Sequence, residues 1–172
     1  MTIRIVALEE RHLSTMLTWL DDADLREHIG TIFPIPLARH LDWYRRLLDD
    51  RSQLVLAIED DSRHIGTIGL RSIDLVYRNA ELWLYIGEQT HRGSGAARAA
   101  VGQLLEFSFA TLNLHRVFAQ VFDFNERAKK FFCKCGMKPE GVLREAVFKR
   151  GQYWDKHVFA ILSSETTQHE NG

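Results

Sequence analysis

Residues 92–100, RGSGAARAA, follow the apolar run LWLYI at 82–86 and lead into an apolar stretch reaching residue 112. Strand, glycine loop, helix is the order in which a backbone turns unpaired N–H groups toward an anion. The plainest reading is that Gly93 and Gly95 only permit a tight turn. Against it, Arg92 and Ser94 place polar groups where a helix N-terminus already favours negative charge. A Walker phosphate loop is excluded, because the stretch lacks GK[ST]. A dinucleotide-binding turn nearly fits GxGxxG over 93–98, with Asp123 as its ribose-binding acid. Its sixth position is Arg98, however, where close helix–strand packing wants Gly or Ala.

Outward from this loop, the hydrophobic period changes twice. QLVLAIED (53–60), HIGTIGLRSI (64–73) and NAELWLYIGE (79–88) are short apolar runs with short polar breaks. They predict three strands, antiparallel because the breaks are too short for crossover helices. AARAAVGQLLEFSFATL (96–112) predicts a helix with Val101, Leu104, Leu105 and Ser108 facing the sheet. HRVFAQVFD (115–123) is then a strand parallel to 82–86, and Asn125 caps a helix that ends at Gly136. The last apolar-rich stretch, 142–162, forms two strands joined near Arg150-Gly151.

Upstream, IRIVAL (3–8) is a first strand. A helix over 10–22 carries Leu13, Met16, Leu17 and Leu20. FPIP (33–36) is a break, and a second helix over 38–50 places Leu41, Tyr44, Leu47 and Leu48 on one side. The predicted order is β-α-α-β-β-β-α-β-α-β-β, an α/β fold with a mixed, mostly antiparallel sheet.

Composition bounds the function. The chain has 172 residues, 45% hydrophobic and 26% charged, with 22 Lys+Arg against 23 Asp+Glu. That suits one domain over 1–165 with a polar tail at 166–172. A net charge of −1 argues against a nucleic-acid partner. No apolar run approaches a bilayer span and the N-terminus lacks a signal-peptide pattern, so no membrane partner and a cytoplasmic location are expected. Cys133 and Cys135, two apart in a helix, suit reduced, partly buried thiols rather than a disulfide. The eight histidines show no metal-ligand spacing, so no metal is expected.

The frame Arg92-Gly93-Ser94-Gly95-Ala96-Ala97 is R-x-x-G-x-A, and NERAKKFFCKCGM (125–137) resembles N-x-x-A-x-x-x-Y-x-x-x-G-F. Together with the element order, these motifs resemble the GNAT superfamily of acyl-CoA N-acyltransferases over most of residues 3–162. The resemblance implies acetyl-CoA as co-substrate. Its diphosphate would lie on Arg92, Gly93, Ser94, Gly95, Ala96 and Ala97, and its pantetheine arm beside Leu84, Tyr85 and Ile86. The family splays that strand from 115–123 to admit the arm. Asn125, Ala128 and Phe132 would border the cofactor, with Lys134 toward the adenosine end.

A primary amine has a pKa of about 10, so about one in a thousand is nucleophilic at neutral pH without help. Glu81 is the first candidate base, against the alternative of a surface strand carboxylate, with Asp74 and Glu145 in reserve. A main-chain N–H near Tyr85 would meet the developing oxyanion. Phe132 stands where the family usually has the tyrosine that protonates the departing thiolate. The acid is therefore dispensable, or relocated to Tyr85, Tyr153 or a water, or the chain binds acyl-CoA without turnover.

The segments 107–128 and 140–162 resemble a branch containing spermidine, ribosomal-protein N-terminal and nucleotide-amino-sugar acetyltransferases. The acceptor wall in that branch corresponds to 21–50 here. Asp21, Asp22, Asp24 and Glu27 would attract a polyamine or basic peptide N-terminus, or form a solvated helix end. Trp43 and Tyr44 would stack on a sugar or belong to the core, and Arg39, His40 and Arg45 would receive a phosphate. Pairing through C-terminal strands, as in some relatives, makes a homodimer the expected assembly.

Overall fold

The computed structural model describes residues 1–29 and 35–166, and the side chains of Asp24 and Ile29 are outside that description. The elements run β1 (Ile3–Ala7), α1 (Glu10–Leu20), α2 (Ala23–Ile29), α3 (Leu37–Asp49), β2 (Leu54–Asp60), β3 (Arg63–Asp74), β4 (Asn79–Ile86), a 3-10 turn (Gln89–His91), α4 (Ala96–Ala110), β5 (Arg116–Phe122), α5 (Glu126–Lys134), β6 (Lys138–Lys149), β7 (Gln152–Leu162) and α6 (Ser163–Thr166). This is the predicted order with α2 and α6 added. The sheet has seven strands in the order β1-β2-β3-β4-β5-β7-β6. Its β4–β5 pair is parallel and holds three residue pairs, Asn79–Arg116, Ala80–Val117 and Glu81–Phe118. Among the described residues, β4 and β5 pair with each other at those three positions and no other. No helix among the described residues is long and apolar enough to cross a membrane.

The chain divides into two compact units, 1–71 with 83–104 and 72–82 with 105–172. In the first, β1, β2 and β3 form an antiparallel meander. Leu8, Leu13, Met16, Val55 and Ala57 make a buried cluster against which Leu41, Trp43, Tyr44 and Leu47 pack. Each fully buried aliphatic side chain of this kind contributes about 1.5–3 kcal/mol. Leu48 does not join them and is 66% exposed, while His40 on the same helix is buried. A helix advances 100° per residue, so Leu41, Tyr44 and Leu47 exhaust the inner stripe of α3. Glu59 follows Val55 and Ala57 on the inner face of β2 and is 3% exposed, and the register irregularity beside it leaves Ile65 of β3 unpaired.

In the second unit, β5, β7 and β6 are antiparallel neighbours. Val117, Ala119, Val121, Phe132, Met137, Phe159 and Ile161 are buried there. The β6–β7 turn holds Arg150 at φ 53 and Gly151 at φ 75, the left-handed pair that matches the twist of a two-residue hairpin. β6 begins at Lys138, four residues earlier than expected, and is exposed over most of its length. Its register shifts between Leu143 and Val147, where Glu145 takes φ 50 and its N–H donates to Asp155 Oδ1 at 2.8 Å. Residues 163–166 continue into α6, secured by Lys138–Glu165 at 2.6 Å. Cys133 is exposed and Cys135 half-buried, so only the second is the partly buried thiol expected.

Candidate active site

In the first unit the loop after β4 has the geometry of an anion cradle. Gly93 and Gly95 take φ +88° and +96°, a region closed to most side chains, and nothing lies within 4 Å of where a Cβ would stand. The Ser94 hydroxyl donates to His91 O at 2.9 Å and accepts from the Ala96 N–H at 3.3 Å. The Ser94 N–H is used on His91 O. The N–H groups of Gly93 and Gly95 have no acceptor among the described residues, and Ala97 and Arg98 lie in the first helical turn, which has no intrahelical acceptor to offer. A diphosphate fits this open, donor-rich surface. Arg92 turns toward the protein: its Nε donates to Ile86 O at 3.2 Å, and one terminal nitrogen reaches Gly87 O at 3.4 Å and Asp22 Oδ2 at 3.5 Å.

Tyr85 is buried, its ring edge-on to Trp19 at 6.2 Å and stacked near Trp83 at 6.4 Å. Burial pushes its phenol up to about 12, and the nearby Thr67 hydroxyl opposes the shift without reaching hydrogen-bond geometry. At neutral pH the group is therefore a protonated phenol. Beneath it, Gly66 lies so close to the Tyr85 carbonyl that a Cβ would stand 2.5 Å from it. Gly87 is covered by the Trp19 indole, 1.9 Å from a built Cβ.

Sequence reading missed a buried polar cluster nearby. The Glu9 N–H donates to His12 Nδ1 at 2.9 Å, so Nδ1 is the unprotonated nitrogen. His12 Nε2 then donates to Glu59 at 3.2 Å, which Arg11 also approaches at 3.1 Å. Alternation from Val55 and Ala57 puts Glu59 on the inner face of β2, the signal that could have found it.

The expected acceptor wall divides. Trp43 and Tyr44 are core residues: Trp43 stacks on His40 at 5.0 Å and the Tyr44 hydroxyl donates to Leu8 O at 3.3 Å. Arg45 pairs with Asp42 at 3.1 Å, and Arg39 is exposed. Asp21 caps the end of α1. The 30–34 part of the wall and the Asp24 side chain lie outside the described residues, as do 167–172 of the tail.

In the second unit Glu81 is 7% exposed, which sets it apart from a surface strand carboxylate. The reserve carboxylates have other surroundings. Asp74 Oδ1 accepts the Val76 and Tyr77 N–H groups at 2.9 and 2.7 Å, fixing a turn, and Glu145 is exposed at the β6 bulge. Asn125 Oδ1 accepts the Ala128 N–H at 3.0 Å, the expected cap. Phe132 is buried, stacked on Phe159 at 6.4 Å, and Lys134 is exposed. Tyr153 stands exposed near the hairpin tip. Asp123, the ribose acid of the dinucleotide alternative, instead bonds His157 at 2.7 Å and Lys129 at 3.1 Å. Those hydrogen bonds hold its carboxyl below the usual carboxylate range.

Comparison with known proteins gives the same assignment. Residues 2–138 match the acetyltransferase (GNAT) domain family. Spermidine N(1)-acetyltransferase of Vibrio cholerae is 32% identical over 123 residues, covering 71% of this chain and 70% of the relative. The Escherichia coli K12 spermidine N(1)-acetyltransferase is 31% identical over 112 residues, 65% of this chain and 60% of the relative. The crystal structure of the V. cholerae spermidine N-acetyltransferase in complex with CoA and spermine superposes with TM-score 0.89 at 27% identity, covering 96% of this chain and 98% of that one. A further structure of the V. cholerae protein, described as dodecameric, superposes at 0.84 with 26% identity over 98% of both chains. By its sequence match, its element order and its glycine loop, this chain belongs to the GNAT acetyltransferase family.

Proposed function

We propose that this N-acetyltransferase moves the acetyl group of acetyl-CoA to the nitrogen of a small primary amine by direct attack. The observation that carries the reading is the loop at 93–97, with two left-handed glycines, open space above them and unengaged N–H groups. Acetyl-CoA supplies the thioester. Main-chain groups of Gly93, Ser94, Gly95, Ala96 and Ala97 hold the diphosphate, and Leu84, Tyr85 and Ile86 align the pantetheine arm. The family resemblance also gives Asn125, Ala128, Phe132 and Lys134 contacts with the coenzyme. Glu81 takes a proton from the acceptor ammonium, freeing the nitrogen lone pair to attack the carbonyl carbon. The Tyr85 N–H stabilises the negative charge developing on the carbonyl oxygen as the C–S bond breaks. A thiol has a pKa of about 8.5, so the sulfur leaves tolerably with a proton from Tyr85 or water in place of the missing tyrosine.

The acceptor is a polyamine: the relatives just named are spermidine acetyltransferases, and one of them holds spermine. A homo-oligomer accords with the dodecameric neighbour. Phe132, with no hydroxyl, favours the competing reading of a binding-only member. Assaying spermidine, a basic N-terminal peptide and a UDP-amino sugar with acetyl-CoA separates these readings. Spermidine is expected to turn over fastest. Turnover of the amino sugar alone overturns the polyamine assignment, and coenzyme binding without turnover of any amine establishes the binding-only reading.

A further inference from the structure

Immediately before Arg92, His91 is tied into the glycine loop through its main chain and to the end of β2 through its ring. Its carbonyl accepts the Ser94 N–H at 3.3 Å and the Ser94 hydroxyl at 2.9 Å, and the Ser94 oxygen accepts the Ala96 N–H. The His91 side chain is 17% exposed and meets Asp60 Oδ2 through Nε2 at 3.1 Å. Its Nδ1 meets the Thr90 hydroxyl, also at 3.1 Å, and that hydroxyl lies 3.3 Å from Glu88 Oε1.

These contacts restrict where the protons are. Burial opposes ionisation of Asp60, but the Thr2 N–H and His91 outweigh it and hold the carboxyl below the usual range. At Glu88 burial is likewise outweighed by Arg63, whose guanidinium donates to Oε2 at 2.5 Å. Both groups are therefore carboxylates at neutral pH and can only accept. Nε2 must then donate to Asp60, while the one Thr90 hydroxyl proton serves either Nδ1 or Glu88. A neutral ring loses one of those two contacts. With both ring nitrogens protonated, Nδ1 donates to Thr90, Thr90 donates to Glu88, and the whole chain of bonds is made.

Charge points the same way. A neutral ring gives Asp60 only an N–H dipole where an imidazolium would give it a full charge. The His91 and Gly93 Cα atoms are two peptide units apart, at most about 7.6 Å, so the balance of this pair is felt at the anion cradle. The other charged groups around the ring are Arg63, Glu88, Arg92 and the Met1 amino group. Glu88 is matched by Arg63, and Arg92 is turned onto Ile86 O and Gly87 O.

We propose that His91 is a further coenzyme-binding residue, whose ring takes up a proton as the diphosphate settles on the loop and meets its charge as an imidazolium. The proton comes from solvent and adds to the Nδ1 lone pair, and the Thr90 hydroxyl proton turns from Nδ1 to Glu88. Asp60, Thr90 and Glu88 are the positioning residues that supply the acceptors for this arrangement. The inference rests on the coenzyme reading above and adds a charge that reading does not contain.

Calorimetry on the full chain, at a pH of about 7 in two buffers of different ionisation enthalpy, counts the protons taken up. The ligand is 3′-dephospho-CoA, because the 3′-phosphate of CoA titrates at a pKa of about 6 and would add protons of its own. The wild type should take up a fraction of one proton per coenzyme. Its affinity should fall about two- to fivefold between about pH 6 and 8. His91→Gln should take up none, and its affinity should not change over that range. Thr90→Val, which leaves Nδ1 without a hydroxyl to donate to, should take up less than the wild type. Wild-type heats that do not depend on the buffer overturn the proposal, and so does an uptake that persists in His91→Gln. An affinity lowered by the same factor at every pH in His91→Gln makes His91 a mere prop for Ser94 and overturns it too. If His91→Gln fails to fold, Thr90→Val decides, since an undiminished uptake there removes the relay. A wild type that binds neither dephospho-CoA nor acetyl-CoA sinks the coenzyme reading itself, a separate outcome.

Discussion

Acidification should destabilise the protein through one histidine before most carboxylates respond. His64 donates from Nε2 to Gly66 O at 2.8 Å, and its ring lies 4.8 Å from His12 and 4.6 Å from Trp19. Its Nδ1 is buried without a partner among the described residues. Burial first, and then the neighbouring His12, push its pKa from 6.5 down to about 4. Between these values the unfolded chain holds a proton that the folded chain refuses, so stability rises with pH. The contribution is complete above the unfolded value and is lost as pH falls toward the folded one. Each tenfold difference in proton affinity between the two states corresponds to about 1.4 kcal/mol, and solvent reaching the half-buried ring reduces the whole effect to about 1–2 kcal/mol. Urea unfolding of the wild type and His64→Gln at about pH 7, 6, 5 and 4.5 measures it. The wild type should lose about 1–2 kcal/mol more than the variant across that range. His40, also lowered by burial, titrates in both proteins and cancels. Parallel curves for the two proteins would refute the claim that His64 is kept neutral by its surroundings.

At the site itself, Glu81→Gln should lower kcat about 10²–10⁴-fold while calorimetric acetyl-CoA affinity stays within about twofold; an unchanged kcat removes Glu81 as the base. Gly95→Ala forces a side chain into φ +96°, and coenzyme affinity should fall about tenfold although nothing crowds the new Cβ; unchanged affinity means the loop does not hold the diphosphate. Phe132→Tyr should change kcat by less than about tenfold; a larger rise shows that the wild type works without useful acid help.

The elements that carry the site were readable because their signals are local. Asn125 and Gly136 bracket α5 through a side-chain cap and a left-handed glycine at φ 86. Val101, Leu104, Leu105 and Ser108 are buried, as the period of 96–112 requires. What escaped depends on neighbours remote in sequence. ADLREHI folds as α2 despite four ionisable residues, and its Leu25 is the deeply buried anchor. Leu48 and His40 exchange the burial their hydropathy suggests, because the phase of α3 is set by which stripe meets the cluster around Leu13 and Val55. Arg92 and Asp22 are 70 residues apart, and composition cannot announce such a pair.

Strand β6 ends the sheet with a long open margin, and that margin invites other chains to add to it. Three residues there, Arg144, Glu145 and Ala146, stand opposite Asp155 alone, so the row of donors and acceptors loses its even spacing halfway along. A straight intruding strand could zip onto either half but not across both. Lys138, Glu140, Arg144, Glu145 and Lys149 further salt the margin with both signs of charge. The kink at Glu145 thus guards against runaway, fibre-like growth while leaving each short half available for a partner shaped to match it.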